Sequence, residues 1–267
     1  MAEPRSYLFV PGHRPDRFAK AAAAGAGAVI LDLEDAVGPD LKAEARAHVA
    51  AFLKSGGQAI VRINAPDTPW YAEDLIALSG HDCTIMVPKA EPGALAAVAK
   101  RLPGRPLIAL VETVAGLAAL RDAVRLKSVA RLAFGNLDFG ADARIPEGGA
   151  VLDPARFEIV IASRLGNLPP PIDGVTTALS DPEAIAADVR RARAIGFGAK
   201  LCIHPSQVGP VNRGFGPTPD EIDWARRVQT ALEAAAGSAV QMDGKMVDRP
   251  LIDRARHILD GIDMAMP

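Results

Sequence analysis

Short apolar runs recur along the chain, each followed by a polar cluster and then an alanine-rich stretch. Eight of these runs read as strands: Tyr7–Val10, Val29–Leu33, Ile60–Ile63, Thr84–Val87, Leu107–Val111, Arg131–Phe134, Gly174–Thr176 and Lys200–Ile203. Several are apolar throughout, which suits strands buried on both faces of a parallel sheet. Helices fill the gaps. One runs from Asp16 to Ala24 and stops at Gly25, and another runs from Leu41 to Lys54 and closes at Gly56-Gly57. Pro69, Pro92 and Pro182 stand where first helical turns should begin, and Asp181 is a suitable N-cap. Thr218-Pro219-Asp220-Glu221 reads as a capping box that opens a long helix to about Ala236.

Eight strands alternating with helices over this length predict an α/β fold, a (β/α)₈ TIM barrel with a C-terminal helical extension. An open doubly wound sheet is the competing arrangement. No linker divides the first 215 residues, so residues 1–215 form the expected barrel and 216–267 the extension. About 60 residues follow the eighth strand, more than one closing helix needs. The segment near Gly237–Ser238 and the stretch Gln241–Pro250 divide that tail into a helix, a loop and a final helix.

Composition narrows the function. Hydrophobic residues make up 49% and charged residues 23%, enough apolar surface for a sizeable core and not the make-up of a disordered chain. Lys+Arg 30 against Asp+Glu 32 gives a net charge of −2, so no basic excess exists to hold nucleic acid. The two cysteines, Cys83 and Cys202, make neither a disulfide framework nor a CxxC zinc pair, and a reducing compartment suits them. The longest apolar run, Ala21 to Leu31, is broken by Gly25 and Gly27 and followed by acids. It is well short of the roughly 20 residues a membrane span needs. We expect a cytoplasmic protein.

Polar residues fall at one end of the expected strands. These are Asp32-Leu33-Glu34-Asp35, Arg62-Ile63-Asn64, Pro88-Lys89, Glu112-Thr113, Gly135-Asn136-Leu137-Asp138 and His204-Pro205-Ser206. In a barrel, carboxyl ends of strands face the active site. Glu112 and Asp138 are the best metal candidates, because Mg²⁺ takes hard oxygen ligands and only one or two carboxylates. The alternative is a metal-free network in which these acids pair with Arg62 and Lys89. Gly25-Ala26-Gly27 precedes a strand, where a dinucleotide loop would follow one. Cys202-Ile203-His204 lacks further ligands near it, so Cys202 reads as a core thiol and His204 as a loop or substrate-contact residue. No GxSxG is present.

Seven motifs occur in order: Arg5-Ser6-Tyr7-Leu8-Phe9-Val10-Pro11-Gly12, Asp32-Leu33-Glu34-Asp35-Ala36-Val37, Val61-Arg62-Ile63-Asn64, Pro88-Lys89, Glu112-Thr113, Cys202-Ile203-His204-Pro205-Ser206-Gln207 and Gly244-Lys245-Met246-Val247-Asp248-Arg249-Pro250. Together they resemble the citrate lyase beta subunit and its CitE-like relatives in the HpcH/HpaI aldolase superfamily. The resemblance implies a Mg²⁺-dependent lyase that breaks or makes a citryl-, malyl- or citramalyl-CoA thioester, giving an acyl-CoA and a 2-oxo acid. It further implies metal ligation by Glu112 and Asp138, with Glu34 and Asp35 holding metal-bound waters. Arg62 would bind the 2-oxo-acid carboxylate, and Asp248 would be the acid/base, reaching in some relatives into a neighbouring subunit of a homotrimer. A CoA-independent 2-oxo-acid aldolase and a ligand-binding subunit that needs an acyl-carrier partner are the competing functions. The chain departs from the relatives at Asn136-Leu137-Asp138, where they often carry Glu-Asp. It also departs at His13-Arg14-Pro15-Asp16-Arg17, where CoA-using relatives often carry a Lys, and in the proline-rich loop from Leu168 to Asp173.

Overall fold

The structure, a computed structural model, describes residues 3–179, 181–234, 240–242 and 245–261. Eight parallel strands close into a barrel, each paired with the next in chain order and the eighth with the first. They are β1 (Ser6–Pro11), β2 (Ala28–Asp32), β3 (Ile60–Arg62), β4 (Thr84–Val87), β5 (Leu107–Val111), β6 (Val129–Phe134), β7 (Ile172–Asp173) and β8 (Ala199–Cys202). The fold is therefore the TIM barrel that the alternating pattern predicts, and the open sheet is excluded.

Side chains on a strand alternate between its two faces. The barrel interior collects Tyr7, Ile30, Ile60, Met86, Ile108, Leu110, Ala133, Ile172, Ala199 and Leu201. The intervening residues Leu31, Val61, Ile85 and Ala109 are buried as well, which is why the strands read as continuous apolar runs. At the amino-terminal end of the barrel, Arg131 donates to the Tyr7 hydroxyl at 2.6 Å and to the carbonyls of Pro170 and Pro4 at 2.9 and 3.2 Å. Asp173 and Lys200 take the opposite parity to Ile172 and Ala199. They pair behind the sheet at 2.9 Å, and Arg156 Nε reaches Asp173 at 2.8 Å. Burial works against the Asp173 carboxylate, but Lys200 and Arg156 outweigh it and hold its pKa below the usual carboxylate range.

The seventh strand corrects the sequence expectation. It lies at Ile172–Asp173, not at Gly174–Thr176. The run Pro169-Pro170-Pro171 reads as loop, yet the strand starts directly after it and pairs through Ile172 with Ala133 and Ala199. Beyond it, Val175 N–H donates to the Asn136 side chain at 2.8 Å rather than to a strand. A Cβ on Gly174 would sit 2.0 Å from Asn136 Oδ1, so only glycine fits beside that amide.

Helix starts differ in detail. Pro15–Arg17 and Pro39–Leu41 are 3₁₀ turns that lead into the helices Phe18–Ala23 and Lys42–Lys54. Pro69 precedes its helix, Tyr71–Leu78, by two residues, whereas Pro92 and Pro182 open theirs. Asp181 accepts from Glu183 N and Ala184 N. Cys83 and Cys202 are free and buried, and burial pushes their thiols up to about 11 and about 12. Among the described residues no helix is long and apolar enough to cross a membrane.

The chain divides into two compact units, with the second beginning at Arg213. In it the Thr218–Glu221 capping box forms reciprocally, Thr218 N to Glu221 Oε2 at 2.8 Å and Glu221 N to Thr218 Oγ1 at 3.2 Å. The helix Pro219–Ala234, the antiparallel pair β9 (Val240–Met242) and β10 (Lys245–Val247), and the helix Arg249–Asp260 share a small apolar cluster of Ala225, Val228, Val247, Ala255 and Ile258. The tail thus carries a hairpin where the sequence suggests only a loop. Gly237–Ser238 lies outside the described residues.

The Asn136–Gly174 contact yields the first prediction. Gly174→Ala forces a backbone or side-chain shift in a packed site and should destabilise the protein by about 1–3 kcal/mol, read as a lower urea midpoint. A wild-type midpoint would show that Asn136 can move away without loss.

Candidate active site

The inward column of each strand ends at the carboxyl-terminal mouth of the barrel. Asp32 and Arg62 stand one inward step above Ile30 and Ile60, and they are direct partners in the β2–β3 register. Arg62 therefore meets Asp32 edge to edge. Nε and Nη2 donate to its two carboxylate oxygens at 2.7 and 2.6 Å. The guanidinium rests over the Phe9 ring at 4.9 Å. Its Nη1 lies 3.0 Å from Glu34 Oε2 and 3.1 Å from Asp35 Oδ2. Burial opposes the charge on Arg62, but Asp32, Glu34 and Asp35 outweigh it and raise its pKa. Asp32 is held low by Arg62 and by the Glu34 and Ala36 amides, which outweigh the effect of its complete burial.

Glu112 follows β5 and is buried. Lys89, just past β4, takes a left-handed φ of 44°, a conformation costing a non-glycine residue about 1–2 kcal/mol. That turn aims its amide at Glu112 Oε1, 2.8 Å away. Gly135 makes room from the other side, because a Cβ there would lie 2.5 Å from Glu112 Cβ. Asp138 lies in the first turn of the helix Asn136–Ala143, and Asp142 of the same helix accepts from Val114 N at 2.7 Å. This contact ties the loops of Glu112 and Asp138 together. Asn136 anchors the helix start by donating to the Glu147 carbonyl at 2.9 Å. Burial raises Glu112 to about 7, and neighbouring Asp138 and Asp35 add to the rise. Partial burial and Asp35 raise Asp138.

Glu34, Asp35, Glu112 and Asp138 line one cavity of 310 Å³ with Lys42, Asn64 and Lys89. Glu34 Oε2 has no aligned hydrogen-bond donor despite its closeness to Arg62. Burial pushes Glu34 up to about 9, and Glu112, Asp35 and Asp32 reinforce this against Arg62. Among the described residues no three metal-type side chains form a ready-made cage.

Two sequence candidates stand elsewhere. His204 lines a separate cavity of 530 Å³ with Arg14, Arg17 and Lys20, at the ends of β1 and β8. Its Nδ1 accepts from Ser206 N at 3.2 Å and lies 2.7 Å from Ser206 Oγ, an arrangement that caps the following helix. Asp248, in the second unit, caps the helix Arg249–Asp260 by accepting from Leu251 N at 3.2 Å. Asp243 and Gly244 lie outside the described residues. Lys42 and Asp74 are absent from the sequence candidates, and Asp32 and Asn64 enter there only as parts of strand ends. The adjacency of Asp32 to Arg62 was readable once the register was known. Lys42 carried no signal beyond a place in the first turn of a helix.

A carboxyl raised in the folded state favours folding at low pH. For Glu34 that contribution is complete below the unfolded value of about 4.3 and is lost as pH rises through about 9. Glu34→Gln removes this loss. It should melt above wild type near pH 9 and with it near pH 4, measured by circular dichroism. Parallel melting curves at both pH values would contradict the assignment.

Residues 5–205 match the family model described as HpcH/HpaI aldolase/citrate lyase. A citrate lyase subunit beta-like protein of Deinococcus radiodurans is 38% identical over 96% of both chains. A (3S)-malyl-CoA thioesterase of Cereibacter sphaeroides is 35% identical over 96% of this chain and 93% of its own. Among solved structures, CitE of Mycobacterium tuberculosis in complex with magnesium, acetoacetate and coenzyme A superposes with a TM-score of 0.85. It is 33% identical over 98% of this chain and 99% of that one.

Proposed function

Because the chain belongs to the HpcH/HpaI aldolase/citrate lyase family, we propose that it is a Mg²⁺-dependent carbon–carbon lyase acting on a citryl-, malyl- or citramalyl-CoA-type thioester. The reaction joins or separates an acyl-CoA and a 2-oxo acid. The observation that carries this reading is the gathering of Glu34, Asp35, Glu112 and Asp138 in one cavity beside a single buried arginine. The donor set fits Mg²⁺. Two carboxylates, Glu112 and Asp138, are the usual protein contribution to such an ion. A dication's charge would favour the ionised forms of the raised Glu112 and Glu34, and the Glu34 oxygen that accepts no aligned hydrogen bond could meet a bound water.

Magnesium held there would polarise the substrate's 2-oxo or 2-hydroxyl oxygen. Glu34 and Asp35 would hold waters on the ion. Arg62 would bind the carboxylate of the 2-oxo acid. Its Nε/Nη2 edge already grips Asp32, so the substrate would meet the Nη1 side now turned to Glu34 and Asp35. Coenzyme A use is supported by the second cavity. There Arg17 and Lys20 offer cations for phosphates, while Arg14 is forked onto Asp16 at 2.8 and 2.9 Å. We assign Asp248 as acid/base, taking the hydroxyl proton in cleavage and the proton alpha to the thioester in condensation. Residues 216–267 would act as a lid that brings it to a neighbour's barrel in a homotrimer.

Calorimetry with Mg²⁺ and oxaloacetate, paired with absorbance assays of citryl-, malyl- and citramalyl-CoA, tests this function. Binding should occur in wild type and vanish in Glu112→Ala, and one thioester should turn over only with Mg²⁺. Equal binding by both proteins would remove Glu112 as ligand. Cleavage of free 2-oxo-acid adducts alone would favour the CoA-independent aldolase. Turnover only with an acyl-carrier partner would favour the dependent subunit.

Asp248→Asn keeps a capping oxygen and removes basicity. It should leave Mg²⁺ and oxaloacetate binding intact and lower kcat by about 10²-fold. Mixed with Glu112→Ala subunits after verified exchange, it should regain some activity. Full kcat in the variant would dismiss Asp248 as acid/base, and failed complementation would dismiss a site shared between subunits.

A further inference from the structure

Lys42 is the first residue of the helix Lys42–Lys54 and is buried. Both facts work against it. A cation at a helix amino terminus faces the positive end of the helix dipole, and burial penalises its charge, lowering its pKa. Something must offset these costs. The ammonium has three protons, and three acceptors surround it: the Leu33 carbonyl at 2.7 Å, the Glu34 carbonyl at 2.7 Å and Asn64 Oδ1 at 2.6 Å. Trp70 covers it at 5.0 Å. With every proton engaged, Lys42 has none left for a substrate, although it lines the acidic cavity.

Its partners continue outward. Asn64 N and Nδ2 both donate to Asp74 Oδ2, at 2.9 and 2.7 Å. Arg46, one turn after Lys42 on the same helix, donates to Asp74 Oδ1 at 2.9 Å. This polar chain starts on the helix Lys42–Lys54 and ends on the consecutive carbonyls of Leu33 and Glu34, within the bend that leads into Glu34 and Asp35.

We propose that Lys42 is a positioning residue that locks the Glu34-Asp35 bend in register against Arg62, so that the acidic cavity keeps the shape the ligand needs. The ligand clause rests on the Mg²⁺ and 2-oxo-acid reading above, whereas the locking itself does not.

Hydrogen exchange separates the two. The amides of Glu34 and Ala36 donate to Asp32 at 2.9 and 3.1 Å, and Val37 N donates to the Glu34 carbonyl at 3.0 Å. In Lys42→Met these three should exchange at least tenfold faster while the amides of β5 stay at wild-type rates. The same protein should bind oxaloacetate with Mg²⁺ at least tenfold more weakly. Lys42→Arg should be intermediate, since a planar fork cannot set three protons around one nitrogen; it also supplies the comparison should Lys42→Met fail to fold. Unchanged exchange, an equal rise throughout β5, or a loosened bend with wild-type affinity would each overturn the proposal. If wild type itself binds no oxaloacetate with Mg²⁺, the functional reading falls and the exchange rates alone decide whether Lys42 locks the bend.

Discussion

One buried guanidinium organises the mouth of this barrel. Arg62 stands where Asp32, Glu34 and Asp35 converge, with Glu112 and Asp138 near enough to feel its charge. Without that cation, the buried Asp32, Glu34 and Glu112 would lose the positive charge that opposes the effect of their burial. With it, Asp32 stays ionised while Glu34 and Glu112 remain raised. Arg62 therefore balances Asp32 but leaves Glu34 and Glu112 raised, and a bound cation's own charge would invert that local balance. Arg62 itself depends on the strand register that sets it against Asp32, and the register depends on barrel closure.

Much of this was legible in the sequence because each strand needs only a few apolar residues and ends abruptly in polar ones. The borders at Asp32, Arg62, Glu112 and Asn136 marked the mouth correctly. The seventh strand was harder, since two residues after three prolines give almost no periodicity to read. Long-range pairings were hidden for a different reason. That Lys42 reaches Asn64, or that Asp142 reaches Val114, follows from loop paths that local propensity does not encode. The role of Asp248 rested on resemblance throughout. Its observed contact is the ordinary one for an acid at a helix start.

Two of the three segments expected to depart from the family motifs, Asn136-Leu137-Asp138 and the proline-rich loop, have local physical roles. Asn136 is a buried amide that accepts from the Val175 amide after β7 and donates to the Glu147 carbonyl beyond its own helix. A carboxylate there would face that backbone carbonyl and lose the donated hydrogen bond. The proline-rich approach to β7 supplies a carbonyl to Arg131 at the far end of the barrel, so it serves closure at the amino-terminal face.

The two thiols make the barrel a clock for its own opening. Cys83 precedes β4 and Cys202 ends β8, so they report from opposite arcs of the ring. Thiolate is the reactive species, and both groups titrate far above neutrality. A thiol reagent in solution therefore sees little of either until the local structure parts. Equal labelling rates would mean the ring opens as one cooperative piece, and unequal rates would locate its weaker seam without any engineered probe.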